Sequence, residues 1–470
     1  MGAIKNKAIE IAIKQGLEKV KEDPDKNLPK LVEIVKKFDK DNMWESKYQF
    51  LEKVTKDRDN NWNQYIRNIM EDIDDDIIEK FLCNFIVNSA IKGISRNHEV
   101  KEKEGCGAPW AIVMDPTTAC NMKCTGCWAA DYGKSLNLGY DLMDKIVTEG
   151  KEIGCYWYLF TGGEPLVKKD EVLKLCKKHN DCIFVAFTNA TLIDEEFAKQ
   201  VKEVGNLSFS ISVEGTEEST DLRRGKGAYQ KVMKAMDLLR ENEILFGFST
   251  CATSANAEYI MSEAYFDKMI EKGCKYGWFF NYMPVGCGAN TDLLTTPEQR
   301  EAMYYKLAEY RKTKPLFTVD FWNDGRFVGG CIAGGKHYMH INANGDVEPC
   351  VFIHYSNANV KDMSLLETLK QPIFKEYQKN QPFSDNLLRP CPLLDNEGKL
   401  AEMVCRCGAH STDLAHPENV NDLCSKCHNI SRDWKVTADK LWEQEGHEIK
   451  EEVFEKELPF GVVVLHLKSN

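Results

Sequence analysis

No run of 18 apolar residues occurs anywhere in the 470-residue chain, so no segment reads as a bilayer-spanning helix. The continuous apolar stretch of a secretory signal is missing too, because Lys5, Lys7 and Lys14 interrupt Met1 to Val20. Gly2 follows Met1, but Asn6 stands where an N-myristoylation pattern needs serine or threonine. Positive charge is in deficit: 61 Lys and Arg against 73 Asp and Glu give a formal net charge of −12. That balance argues against a general nucleic-acid binder, which presents a basic field. What the chain has in quantity is cysteine. Eighteen cysteines without a secretory signal read as metal ligands and buried thiols rather than a disulfide framework. A reducing cytoplasmic setting is therefore expected.

The length suggests several domains. Residues 1–104 show little strand patterning and read as helical, with apolar repeats at Ile4, Ala8, Ile11, Ala12 and Ile13 and again at Leu28, Leu31, Ile34, Val35 and Phe38. Ile77, Ile78, Phe81, Leu82, Phe85 and Ile86 mark a third helix, preceded by the acidic run Asp74 to Asp76. A helical cap on a catalytic domain is the plain reading. A substrate- or membrane-docking module, its first helix lying on a membrane surface, is the sharper one.

From about Ala108 the pattern changes to short apolar strands alternating with charged helices, a parallel βα repeat. Strands are expected near 110–117, 157–161, 182–188, 207–213, 245–252 and 277–283. Helices such as Asp141 to Glu152 and Ala228 to Glu241 lie between them. In parallel barrels functional groups collect at the C-terminal ends of strands, and here Cys120, Gly162-Gly163-Glu164, Thr188-Asn189 and Ser210, Ser212 and Glu214 follow successive strands.

Cys120, Cys124 and Cys127 place three soft thiolates within eight residues. Such ligands suit iron–sulfur clusters and zinc, and a set of three leaves one position of a metal centre open. A zinc knuckle or unligated core thiols are the plainer alternatives. The C-x3-C-x2-C spacing, followed by Thr161-Gly162-Gly163-Glu164-Pro165, resembles the radical S-adenosylmethionine (radical SAM) superfamily. The resemblance implies an α/β fold with a partial (βα)6 TIM-like barrel over 105–320. It also implies a [4Fe–4S] cluster on the three cysteines and S-adenosylmethionine chelating the open iron. One electron then cleaves the cofactor to a 5′-deoxyadenosyl radical that abstracts hydrogen from a substrate C–H bond.

Further site roles follow from the same resemblance. Gly162 and Gly163 would keep the strand end open to the cofactor, and Glu164 would accept its ammonium. Ser212 and Glu214 would lie at the ribose or methionine portion, Arg223 or Arg224 at the methionine carboxylate, and Asn189 towards the cofactor. A low-potential flavodoxin- or ferredoxin-type donor would supply the electron. Family members carry an aromatic residue just before the third cysteine. Here Gly126 stands there and Trp128 follows Cys127, so an altered adenine contact is expected.

Asn344-Gly345 between two apolar runs signals a hairpin. Cys331, thirteen residues, Gly345, four residues and Cys350 resemble the opening of the SPASM and Twitch extensions, which carry auxiliary iron–sulfur clusters. One auxiliary cluster on Cys331, Cys350 and Cys391, within 321–400, is expected. Beyond Cys391 the SPASM spacing is not kept. The extension 401–470 holds Cys405, Cys407, His410, His416, Cys424, Cys427 and His428. Cys424 and Cys427 read as a zinc or iron site or as a source of the auxiliary cluster's fourth ligand, with free thiols as the alternative. Leu458 to Leu467 reads as a closing strand. Cys251 and Cys287 could reach the site as hydrogen-atom donors, although Cys251 reads more plainly as core. His337, His340 and His354 read as structural. The expected substrate is a peptide or protein side chain, with a lipid or other apolar small molecule second. A non-catalytic iron–sulfur electron carrier is disfavoured by the Gly162–Pro165 motif.

Overall fold

The computed structural model describes residues 2–38, 45–129, 132–286 and 288–447. Cys287 and the expected strand from Leu458 lie outside them.

Six strands appear at the expected places: β1 Ala111–Met114, β2 Trp157–Phe160, β3 Ile183–Thr188, β4 Leu207–Ser212, β5 Phe246–Ala252 and β6 Tyr276–Asn281. All pair in parallel with their neighbours. Their near-continuous burial is what a sheet covered on both faces requires. Two features go beyond a sixfold repeat. A seventh parallel strand, β7 Phe317–Asp320, joins β6. It is four residues long and begins on an exposed phenylalanine, so it carries no readable periodicity. The expected hairpin is formed by β8 Tyr338–Ile341 and β9 Val347–Glu348, but β8 also pairs in parallel with β1. The auxiliary region is thus hydrogen-bonded into the barrel sheet, whose order is β7-β6-β5-β4-β3-β2-β1-β8-β9.

The N-terminal helices wrap the opposite rim, at the N-terminal ends of the strands. Helix Asp75–Cys83 starts on Asp74, whose carboxylate accepts from the Asp76 N–H. It runs on through a π-helical stretch, Asn84–Gly93, into helix Ile94–Glu104. Asparagines along this rod satisfy loop carbonyls beneath the barrel. Asn84 Nδ2 donates to Asn180 and Cys182, Asn88 Nδ2 to Asp181, and Asn97 Nδ2 to Ile153. A Cβ at Gly93 would stand 2.6 Å from the Gly154 carbonyl, so only glycine lets the rod approach this closely.

The first helix, Gly2–Glu22, buries Ile9 and Ile13 against Val87 of the rod, with Leu17, Leu82 and Ile86 around them. Ile9 and Ile13 are therefore spent on packing, while Ile11 stays half exposed. Among the described residues no helix is long and apolar enough to cross a membrane.

Candidate active site

The cysteine loop leaves β1 and is clamped to the end of β2. The Gly163 N–H donates to the Thr117 carbonyl and the Glu164 N–H to the Ala119 carbonyl, both at 2.9 Å. A Cβ on Gly163 would meet the Ala119 and Thr118 carbonyl oxygens at 2.4 and 2.5 Å. One on Gly162, which has φ +98°, would meet Thr117 O at 2.6 Å. Both glycines are thus required by the backbone that delivers Cys120, as well as by any cofactor above it.

The Glu164 carboxylate turns inward, 1% exposed, and accepts from Leu166 N–H at 3.0 Å, Thr188 Oγ1 at 2.7 Å and Asn189 N–H at 2.8 Å. Burial pushes its pKa up against those three donors. It ties the ends of β2 and β3 together.

Asn189, expected to face the cofactor, holds the loop instead. Its amide donates to Asn121 Oδ1 at 2.9 Å and lies 4.0 Å from Cys120 Sγ. Ser212 is half-buried at the end of β4, and its hydroxyl has no hydrogen-bond partner among the described residues.

Glu214 and the two arginines form the next layer. The Glu214 carboxylate is fully buried. It receives Arg223 Nη1 at 2.5 Å, Arg224 Nη2 at 2.6 Å and the Cys251 N–H at 3.1 Å. Burial alone would raise its pKa, but the two guanidinium groups outweigh it and hold the carboxyl below the usual range. From this anchor Arg223 Nη2 reaches the Gly126 carbonyl at 3.4 Å and Arg224 Nη1 approaches Cys124 Sγ at 4.0 Å. The guanidinium expected to bind a methionine carboxylate is therefore already engaged by Glu214 and turned to the cysteine loop. Cys251 lies in this layer and not in the bulk core: its thiol, pushed up to about 11 by burial, has Arg223, Glu214, Arg224 and Cys127 as charged neighbours.

Gly126 adopts φ +64°, and a Cβ there would stand 2.7 Å from the Tyr282 ring. Tyr282, arriving after β6, thus covers the position where the resemblance leads one to expect an aromatic side chain. Sequence alone gave no sign of it.

A buried network missed in the sequence joins this loop to the hairpin. His340 of β8 sits 2.6 Å from Glu348 Oε2 through Nδ1 and 3.0 Å from Asp115 Oδ1 through Nε2. The second contact is off the line of a hydrogen bond, leaving that N–H without an acceptor but within charge attraction. Burial would lower the His340 pKa; the Asp115 and Glu348 carboxylates outweigh it and raise it to about 10. Glu348, which burial would raise, is held at about 2 chiefly by His340. Asp115 also accepts from Thr161 Oγ1 at 2.7 Å, and His354 Nε2 lies 2.9 Å from the Trp128 carbonyl. The residues just before the cysteine loop, just before the glycines and just before Cys350 are therefore locked together. His337 is half-buried, and that partial burial holds it down to about 4.

The interior above the sheet is aromatic. Phe187 of β3 lies 5.8 and 5.9 Å from Trp278 and Phe280 of β6. β4 and β5 separate these strands in the sheet, so the rings meet across the barrel. Phe280 continues to Phe352 at 6.1 Å, and Phe352 to Trp128 at 5.8 Å.

Cys331 and Cys350 are among the titratable neighbours of Cys391. Burial pushes Cys331 up to about 11 and Cys350 up to about 12. Thiols this dry become thiolates when a metal compensates the charge. Tyr338 donates to Cys350 Sγ at 2.7 Å, and the buried Tyr377 hydroxyl has no partner. An orphaned donor and a thiol triad in one dry pocket fit an iron–sulfur group. The first triad fits one as well: the Met122 N–H lies 3.4 Å from Cys120 Sγ, and arginine charge flanks Cys124.

Cys424 and Cys427 are not brought to the auxiliary triad. They face Cys405 and Glu418, and among the described residues no three His, Cys, Asp or Glu side chains gather around a single-ion site. Cys424 and Cys427 close the turn between helix Val420–Ser425 and helix His428–Gln444, and that turn sets their spacing.

Comparison with known proteins agrees with this geometry. A family model described as the radical SAM superfamily matches residues 114–260, and one for an iron–sulfur cluster-binding SPASM domain matches 331–392. An Fe-coproporphyrin III synthase of Methanosarcina barkeri is 30% identical over 46% of this chain, and the match spans 57% of that protein. An AdoMet-dependent heme synthase of the same organism is 23% identical over 55% of this chain and 82% of its own length. The mycofactocin maturase MftC of Mycolicibacterium smegmatis is 27% identical over 53% and 66%. Streptococcus suis SuiB, in a structure bound to S-adenosylmethionine, shares the fold with a TM-score of 0.53 at 18% identity, over 63% of this chain and 74% of that one. The ordered motifs at the strand ends and the two matches lead to one assignment: the chain carries a radical SAM domain over 114–260, which implies S-adenosylmethionine and a [4Fe–4S] cluster, and an iron–sulfur cluster-binding SPASM domain over 331–392.

Proposed function

We propose that the protein uses S-adenosylmethionine to abstract a hydrogen atom from an apolar, ring-bearing small molecule. Cys331, Cys350 and Cys391 would hold an auxiliary cluster, which would supply a one-electron acceptor for a substrate radical. When bound, the first cluster and the cofactor supply one-electron cleavage of a carbon–sulfur bond. The chain's own residues do the rest. Cys120, Cys124 and Cys127 hold the cluster on a loop that Gly162, Gly163 and Glu164 fix to the sheet. Arg223 and Arg224, anchored by Glu214, bring positive charge to the loop's thiolates. Ser212 borders the cofactor space. The rings of Phe187, Trp278, Phe280 and Phe352 exclude water and offer flat apolar contact along the way from the first triad to the second.

The cross-barrel aromatic wall carries the choice of substrate class. It favours a planar conjugated body such as a tetrapyrrole, in line with the similarity to an Fe-coproporphyrin III synthase and a heme synthase. A peptide aromatic side chain is the second reading, supported by similarity to a maturase. The test is formation of 5′-deoxyadenosine by anaerobically reconstituted protein with a strong reductant, with and without each candidate. A rise above the substrate-free rate with Fe-coproporphyrin and none with a tyrosine-containing peptide supports the proposal. The reverse assigns the peptide, and no 5′-deoxyadenosine under any condition removes the catalytic reading.

A further inference from the structure

The pocket of Cys331, Cys350 and Cys391 contains two tyrosines that none of the roles above requires. Tyr338, on β8, donates its hydroxyl to Cys350 Sγ at 2.7 Å. Tyr377 projects from helix Pro372–Asn380, and its ring lies so close over Gly334 that a Cβ there would meet it at 2.5 Å. Gly334 is three residues after Cys331 and donates its N–H to the carbonyl of Pro349, beside Cys350. From the end of the same helix Gln381 Nε2 donates to the carbonyls of Cys331 and Ala333. Helix, glycine turn and hairpin are thus fastened together, with the Tyr377 ring between them.

The Tyr377 side chain is completely buried and its hydroxyl has no hydrogen-bond partner. The charged groups around it are the thiols of Cys331, Cys350, Cys391 and Cys407. A phenylalanine would fill the same space without a polar group to satisfy, and leaving a buried O–H unpaired is costly. A hydroxyl aimed among thiols has one evident use, to donate to sulfur. Iron ligation by the phenolate is the competing use, and it would place one more negative charge in a dry pocket already crowded with thiolates.

We propose that Tyr338 and Tyr377 are a pair of hydrogen-bond donors to the auxiliary iron–sulfur group, Tyr338 through the Cys350 sulfur and Tyr377 through sulfur of the cluster or its ligands. They are positioning residues that set the group's readiness to accept an electron. One-electron reduction adds a negative charge to the cluster, and donors to its sulfurs stabilise the reduced form and raise the potential. This rests on the auxiliary cluster occupying Cys331, Cys350 and Cys391.

The experiment uses full-length protein carrying Cys120/Cys124/Cys127→Ala, reconstituted anaerobically so that the auxiliary cluster is observed alone. Iron and sulfide are counted, and the cluster is titrated with reductant under electron paramagnetic resonance, in this background and with Tyr377→Phe, Tyr338→Phe or both added. The expected result is an unchanged iron count and a midpoint moved to more negative potential by each substitution, further by the pair. An unchanged midpoint in Tyr377→Phe at full iron content overturns the proposal. Loss of iron in Tyr377→Phe alone also overturns it, because a ligand or a structural prop is then the better description. Absence of iron from the background protein rejects the placement of the cluster itself, a failure distinct from an unmoved potential.

Discussion

Replacing His340 with glutamine tests the buried lock between the cysteine loop and the hairpin. His340 and Glu348 side chains are 1% and 0% exposed, and Asp115 is 5% exposed. Removing one partner of a buried ion pair costs about 3–5 kcal/mol, because the remaining charge has nothing to offset it. Here each carboxylate keeps other donors. Glu348 Oε1 still receives Thr412 Oγ1 at 2.5 Å and Asn342 Nδ2 at 3.0 Å, and Asp115 still receives Thr161. The expected loss is therefore at the lower end, about 3 kcal/mol at pH 7.

The pH dependence has a fixed sign. His340 is raised from an ordinary 6.5 to about 10, so its contribution is complete below pH 6.5 and disappears as pH rises through about 10. Glu348 is lowered from 4.5 to about 2, so its contribution holds above pH 4.5 and disappears as pH falls through about 2. Equilibrium urea denaturation of wild type and His340→Gln should therefore differ most near neutrality and converge above pH 10. Adding Glu348→Gln to the variant should recover part of the loss, since an amide leaves no buried charge. A deficit below about 1 kcal/mol at pH 7, or one that persists undiminished above pH 10, refutes the ion-pair account.

Gly163→Ala should displace the loop backbone, because the carbonyls 2.4 and 2.5 Å from the new methyl cannot both yield; iron analysis should show the first cluster lost and the auxiliary cluster kept. Replacing both Arg223 and Arg224 with methionine leaves Glu214 buried without a cation. The variant should lose about 3–5 kcal/mol in denaturation and regain part of it with Glu214→Gln. Cys424→Ser with Cys427→Ser should leave iron per chain unchanged, since the turn between the two helices accounts for their spacing.

The sequence made the barrel and the placement of its motifs legible because both are local. Strand periodicity, Asn344-Gly345 and the order of motifs at strand ends are each written within a few residues. What escaped depends on partners far apart in the chain. His340 reads as one more core histidine until β8 pairs with β1 and brings it to Asp115, 225 positions earlier. Glu164 reads as a cofactor acceptor until Thr188 and Asn189 arrive from the next strand and take its oxygens. Arg223 reads as a carboxylate binder, and it does bind one, but the carboxylate is Glu214. Cys424 and Cys427 show the converse: a suggestive local spacing that the turn between two helices explains. The amphipathic first helix was legible as amphipathic, but the identity of the covering surface, Val87 and its neighbours, was not.

The central claim, two iron–sulfur centres on two thiol triads, is tested most directly by iron and sulfide per chain. The measurement is made after anaerobic reconstitution of wild type and of the Cys120/Cys124/Cys127→Ala protein. The account predicts about eight irons falling to about four, each centre being of the four-iron kind. About four falling to none would contradict it, because Cys331, Cys350 and Cys391 would then hold no cluster.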